Sequence, residues 1–212
     1  MSDWLHGVRV PPMRIDDLRE IATAIREQSE LGPEEPFPVL KFLEWSMDAM
    51  FEDFDLEVVD TLPDGNEAHA YPDGAPHHPD GPVIQLLRQV YDGAGSNNGR
   101  SRLTVLHECA HVILHGHVAV HHRGPRGAEL KPWVNSEWQA SQLAVEMLMT
   151  VESFKLGMDL EGYVARMGVS REAACNRALQ LERTLGLPLP DGWPVHVYAS
   201  SQKHKGGTEM SP

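Results

Sequence analysis

The feature that most constrains this chain is His107-Glu108-Cys109-Ala110-His111, set in an apolar run with Leu103, Leu106, Ala110 and Leu114. The spacing predicts a helix from about Ser101 to His115, closed by Gly116. On a helix, residues four apart are turned by about 400°, so the two imidazoles lie about 40° from alignment and about 6 Å apart along the axis. Both can reach one metal ion. Glu108, about 100° round from His107, flanks that ion without binding it, the place of a carboxylate that takes a proton from water.

A second helix beginning near Ser136 would supply what the first lacks. Ser136 followed by Gln139 reads as a capping box, and Ala140, Leu143, Ala144, Met147 and Leu148 form an apolar stripe at helical spacing. Glu137 extends that stripe three residues before Ala140, so its carboxylate points inward, where burial is unfavourable without a partner. Two His and one Glu form an open catalytic zinc set that leaves a position for water. The alternative is that Glu137 only complements the helix dipole.

His115 lies one turn beyond His111, either touching it or favoured by the helix C-terminus alone. His77, His78, His117, His121 and His122 read as solvated loop residues, and Cys109 as a small core residue.

Around these helices, Asp16 to Ser29 reads as an amphipathic helix, with Asp16 or Asp17 available to cap it, and Val39 to Phe51 as an apolar helical segment of the core. Leu56–Asp60, Glu67–Tyr71 and Pro82–Leu87 read as three strands of one antiparallel or mixed sheet, followed by a loop from Asp92 to Gly99. The last of these strands, closest in sequence to the metal helix, is the first choice for an edge on which an extended substrate could add as a strand. Asp159–Met167, the turn Gly168-Val169-Ser170 and Arg171–Leu185 outline a helix-turn-helix. The fold class expected is α+β: a small three-stranded sheet beside the HExxH helix, with a helix-turn-helix-like C-terminal part. The expected division is a metallopeptidase-like domain over 1–155, a helical region over 156–199 and a disordered tail over 200–212.

The charge balance narrows the partners. Lys and Arg total 18 against 31 for Asp and Glu, a net charge of −13, which repels phosphate backbones. The helix-turn-helix segment has four Arg against four acids and lacks a basic footprint, so direct nucleic-acid binding is disfavoured. Two cysteines, no signal-peptide-like start and no membrane-length apolar run fit a soluble, cytoplasmic protein.

The run Arg102–His115, followed by Glu137-Trp138-Gln139-Ala140-Ser141-Gln142-Leu143-Ala144-Val145-Glu146-Met147-Leu148-Met149, resembles the ImmA/IrrE family of metallopeptidases. The likeness extends from about Ile15 to Gly186. In that family the second run typically reads ExxANxFAAxLLMP and its opening Glu is the third zinc ligand, which falls on Glu137. Ser141, Leu143 and Thr150 depart from the pattern, and none of them is expected to touch a ligand. The resemblance implies a cytoplasmic peptidase that cleaves a partner helix-turn-helix repressor, or separates it from DNA, and so switches on mobile-element or stress-response genes.

The expectation is therefore one Zn2+ per chain on His107, His111 and Glu137, other divalent ions remaining open, with Glu108 as general base. A non-enzymatic metal-binding regulator and a hydrolase of small amides are the alternatives.

Overall fold

The computed structural model describes residues 7–62, 65–116 and 130–195. The order is α1 (Ile15–Gln28), α2 (Val39–Lys41) running through a π-helical turn (Phe42–Ser46) into α3 (Met47–Met50), β1 (Asp55–Val59), β2 (Ala68–Tyr71) and β3 (Val83–Leu87). There follow α4 (Arg88–Gly95), α5 (Gly99–His115), a 3-10 turn (Pro132–Val134), α6 (Ser136–Leu148), α7 (Val151–Phe154), α8 (Leu160–Met167) and α9 (Arg171–Leu185). The architecture is α+β, with a three-stranded mixed sheet beside α5.

In the sheet β3 lies centrally, parallel to β1 and antiparallel to β2. Leu56, Ile84 and Ala70 form one cross-strand row and Val58, Leu86 and Ala68 the next, and all but Val58 are joined to the core. The Ala side chains of β2 are small, which lets α5 approach this edge strand closely. The opposite face carries Glu57, Gln85 and His69, with Gln85 Nε2 donating to Glu57 Oε2 at 2.7 Å. The choice of β3 as a free edge is corrected by this topology. Both of its sides are paired, and β1 and β2 form the edges.

The expected loop from Asp92 is also corrected, because α4 leaves β3 without a break and runs to Gly95. Gly93 hid it from the sequence, yet its missing side chain is needed: a Cβ there would lie 2.4 Å from Ser101 Oγ on α5. No described helix is long and apolar enough to cross a membrane.

The central helix is α6, packed against α5 and α1. Ala140, Leu143, Ala144, Met147 and Leu148 are fully buried, as their stripe predicts. Gln139, Gln142 and Glu146 make a second, polar buried stripe, because α1 and α9 close over Gln142 and Glu146 while the Gln139 amide donates to Pro11 O of the N-terminal arm and to Trp133 O. Glu146 is held by a short contact to the Arg177 Nη2 of α9, and Gln142 Nε2 donates to it at 3.1 Å. Arg19 of α1 approaches Glu146 at 3.4 Å. Buried Arg26 donates to three carbonyls: Met147 at the end of α6 at 2.8 Å, Gly32 at 2.6 Å and Glu35 at 2.5 Å.

The α8–α9 pair forms as expected. The side chains of Asp159 and Ser170 cap its helices, and Gly168 and Gly186 end them in left-handed conformations. Arg102 of α5 donates to Met167 O at 3.4 Å and to Phe37 O at 2.8 Å, fastening this turn to the metal helix. The Asp17 carboxylate does not cap α1 from outside. It accepts the Arg14 N–H at 2.7 Å from within the first turn. The expected tail over 200–212 lies outside the described residues.

Candidate metal centre

Asn98 starts α5 by accepting the N–H groups of Arg100 and Ser101, each at 3.1 Å. Val105, Leu106, Cys109, Ala110 and Val112 then fill the core, which leaves His107 and His111 on a partly open side. Gly116 ends the helix with ordinary right-handed dihedrals rather than a left-handed cap.

The start of α6 differs from the expected capping box. Asn135 is the cap, accepting Glu137 N–H at 2.9 Å, whereas Ser136 Oγ accepts Val8 N–H at 3.0 Å. The segment before α6 pairs with an N-terminal arm: Val10 N–H donates to Val134 O at 3.0 Å and Met13 N–H to Trp133 O at 2.9 Å. This ladder fixes where the first turn of α6, and with it Glu137, meets α5.

The donor atoms converge. His107 Nε2 lies 3.1 Å from His111 Nε2 and 3.2 Å from Glu137 Oε2, and His111 Nε2 lies 3.4 Å from Glu137 Oε1. Zinc bonds of about 2.0–2.1 Å in a tetrahedron place neighbouring ligand atoms about 3.3–3.4 Å apart. Each pair of side chains thus stands close to a tetrahedral edge apart, with Glu137 meeting the two imidazoles through different carboxylate oxygens. Among the described residues they are the group of His, Cys, Asp or Glu that could hold a metal ion.

Electrostatics agree with a cation site. Burial alone would push the Glu137 carboxyl up, but its hydrogen bonds with His107 and His111 and their charge hold it well below the usual carboxylate range. Glu108 is buried, which raises its pKa. His107 and His111 oppose the shift, Glu137 adds to it, and His69 of β2 opposes it from the sheet side. A divalent cation among these residues would favour the ionised Glu108 needed for a base.

His115 touches His111 rather than the convergence point, with Nδ1 to Nδ1 at 3.2 Å. Ser141 Oγ lies 3.1 Å from His107 Nδ1, so this departure from the family pattern does touch a candidate ligand, contrary to the sequence reading. The signal was its spacing: Ser141 stands four residues after Glu137, one turn along the same face. Cys109 is fully buried and its thiol is pushed up by burial. His77 meets Glu57 Oε1 at 2.6 Å and His78 meets Asp53 O at 2.8 Å, both at the sheet end. His117, His121 and His122 lie outside the described residues.

An HExxH helix facing a carboxylate from the next long helix, beside a small sheet, defines a metallopeptidase-like domain. The chain belongs to the Peptidase_M78 family, the IrrE N-terminal-like domain, whose model matches residues 73–179. That span runs from before β3 into α9 and holds all three converging side chains. Among solved structures, a Mycobacterium tuberculosis transcriptional regulator is similar, at 19% identity and a TM-score of 0.49 over 80% of this chain and 48% of that one. Comparison with curated proteins gives no match.

Proposed function

We propose that this protein is a zinc-dependent endopeptidase that hydrolyses a peptide bond in a partner helix-turn-helix repressor, relieving repression of mobile-element or stress-response genes in the cytoplasm. The observation that carries the chemistry is the tetrahedral-edge spacing of His107 Nε2, His111 Nε2 and the Glu137 carboxylate. These residues would hold one zinc ion, which when bound supplies a Lewis acid for the scissile carbonyl and makes water easier to deprotonate. Glu108, ionised beside that cation, accepts the proton of the attacking water and delivers it to the departing amine. Other divalent ions suit the same donors, and the family supports a metallopeptidase rather than zinc by name.

The substrate reading rests on the family and on the sheet. An extended segment added to β2 would present successive carbonyls beside α5, and β2 is the edge strand that packs against that helix. Residues 1–155 would carry the chemistry and 156–199 would contact the partner. Arg177, one of four Arg in the helix-turn-helix segment, is spent on Glu146 in the interior, which supports protein docking over DNA binding.

The test is metal content and cleavage together. Wild type should carry about one zinc per chain, Glu137→Ala should carry less, and Glu108→Gln should keep metal and fold but not cut a helix-turn-helix repressor that wild type cuts. Wild-type metal in Glu137→Ala would refute the ligand set, and cleavage by Glu108→Gln would refute the mechanism. Repressor release by Glu108→Gln without any cleavage would favour the non-enzymatic regulator.

A further inference from the structure

We infer that Asn135, seated by the N-terminal arm, is a positioning residue of the metal centre, so that docking of the arm and binding of metal at Glu137 reinforce each other. The inference deepens the metal-centre reading above and rests on it.

Glu137 reaches the imidazoles from the first turn of α6, where no helical carbonyl precedes its N–H. Asn135 Oδ1 takes that role, accepting the N–H of Glu137 at 2.9 Å and of Trp138 at 3.4 Å. The conformation of Asn135 therefore sets where the Glu137 backbone, and the carboxylate it carries, meets α5. A Cβ on Gly7 would lie 2.0 Å from Asn135 Oδ1, 2.8 Å from Cγ and 3.1 Å from Nδ2, so only bare backbone fits against this carboxamide. Any larger residue must push the capping oxygen aside or lift the arm away.

The rest of the arm grips the same turn. Arg9 and Asn135 pair as an antiparallel bridge, Val8 N–H donates to Ser136 Oγ at 3.0 Å, and Val8 O accepts Ser136 N–H at 3.1 Å. One turn along α6, the Gln139 amide donates to Pro11 O at 2.8 Å. Val10, 5% exposed, is the apolar anchor. Val8 and Ser136 stand 128 residues apart, so α6 does not need the arm to form its own turns, and what the arm adds is the setting of the first one. Coupling of this kind is reciprocal: if a docked arm raises the affinity for metal by some factor, bound metal holds the arm down by the same factor. Release of the arm would loosen the metal without touching a ligand.

The test uses full-length protein and zinc. Affinity is measured by competition with a chromophoric chelator. Docking is measured by amide hydrogen exchange at Val10 and Met13, whose N–H groups are bonded to Val134 O and Trp133 O. In wild type, zinc should slow these two amides about 10-fold more than it slows the amides of α9. Gly7→Val and Val10→Asp, which alter no proposed ligand, should each weaken zinc binding about 10-fold, the same coupling read from the other side. Asn135→Ala should lose as much, and Asn135→Ser, whose hydroxyl can cap, should recover most of it.

Zinc that slows Val10 and Met13 no more than α9 overturns the inference, as does wild-type zinc affinity in either Gly7→Val or Val10→Asp. The wild-type exchange decides it even where a variant does not fold. A wild-type chain that binds no zinc overturns the metal centre itself, and the positioning role with it, whereas tight zinc with an indifferent arm overturns the role alone.

Discussion

Replacing Arg177 by Met should be among the most damaging single changes outside the candidate metal centre. Arg177 and Glu146 each have side chains only 1% exposed, and Arg177 also donates to Met149 O at 3.1 Å and to Gln180 Oε1 at 2.7 Å. Removing one member of a buried ion pair costs about 3–5 kcal/mol. Glu146 would keep Arg19 at 3.4 Å and Gln142 at 3.1 Å, which places the loss at the lower end. The Met149 carbonyl loses a charged donor, adding about 1 kcal/mol. The total is about 4 kcal/mol, read as a lower urea midpoint with unchanged slope, or about 10 °C in Tm for a chain of this size. Glu146→Leu combined with Arg177→Met removes both charges and should return to within about 1 kcal/mol of wild type. A single-variant loss under about 1 kcal/mol, or a double variant as damaged as the two singles added, would refute this account.

Gly168→Ala should cost about 1–3 kcal/mol, since the residue has φ +62° and a Cβ would meet Asn97 Oδ1 at 2.2 Å; Gly186→Ala, at φ +66° with open space, should cost only about 1 kcal/mol, and equal Tm losses would contradict the crowding. Cys109 and Cys175 are buried with thiols raised by burial, so a disulfide reagent should find no fast thiol in native protein and two after denaturation. Burial, helped by the charge of His111, pushes His115 down to about 4 from its ordinary 6.5. The unfolded chain therefore takes up that proton first as pH falls. Stability present above about pH 6.5, on the order of 3 kcal/mol, should be lost toward pH 4 in metal-free wild type and not in His115→Asn, checked by urea unfolding across that range.

The metal helix and its partner were legible because their signals are local. The positions of His107 and His111 follow from helical pitch, and an inward Glu137 follows from the stripe it extends. Asp159, Ser170, Gly168 and Gly186 mark the α8–α9 pair by cap chemistry alone. What could not be read depends on the third dimension. Gly93 looks like a loop residue until α5 lies against it. Gln142 and Glu146 look like the wet side of α6 until α1 and α9 cover them, and Gln139 until the N-terminal arm reaches it. Strand order is likewise not local, and β3, nearest the metal helix in sequence, is the paired centre of the sheet. Asn135 outcompetes Ser136 as the cap because the Ser136 hydroxyl is engaged by Val8.

Composition alone marks Gly32–Pro36, rich in Pro and Glu, as the place to graft a tag or an extra segment. The guanidinium of Arg26 reverses that advice. It grips the Gly32 and Glu35 carbonyls together with the last turn of α6, and Gly32 N–H is closed onto Glu35 Oε2 at 2.6 Å. Lengthening this loop would separate carbonyls that one planar cation must reach at once, stranding charge in the interior. For anyone building fusions on this scaffold, a loop that looks expendable is a clasp.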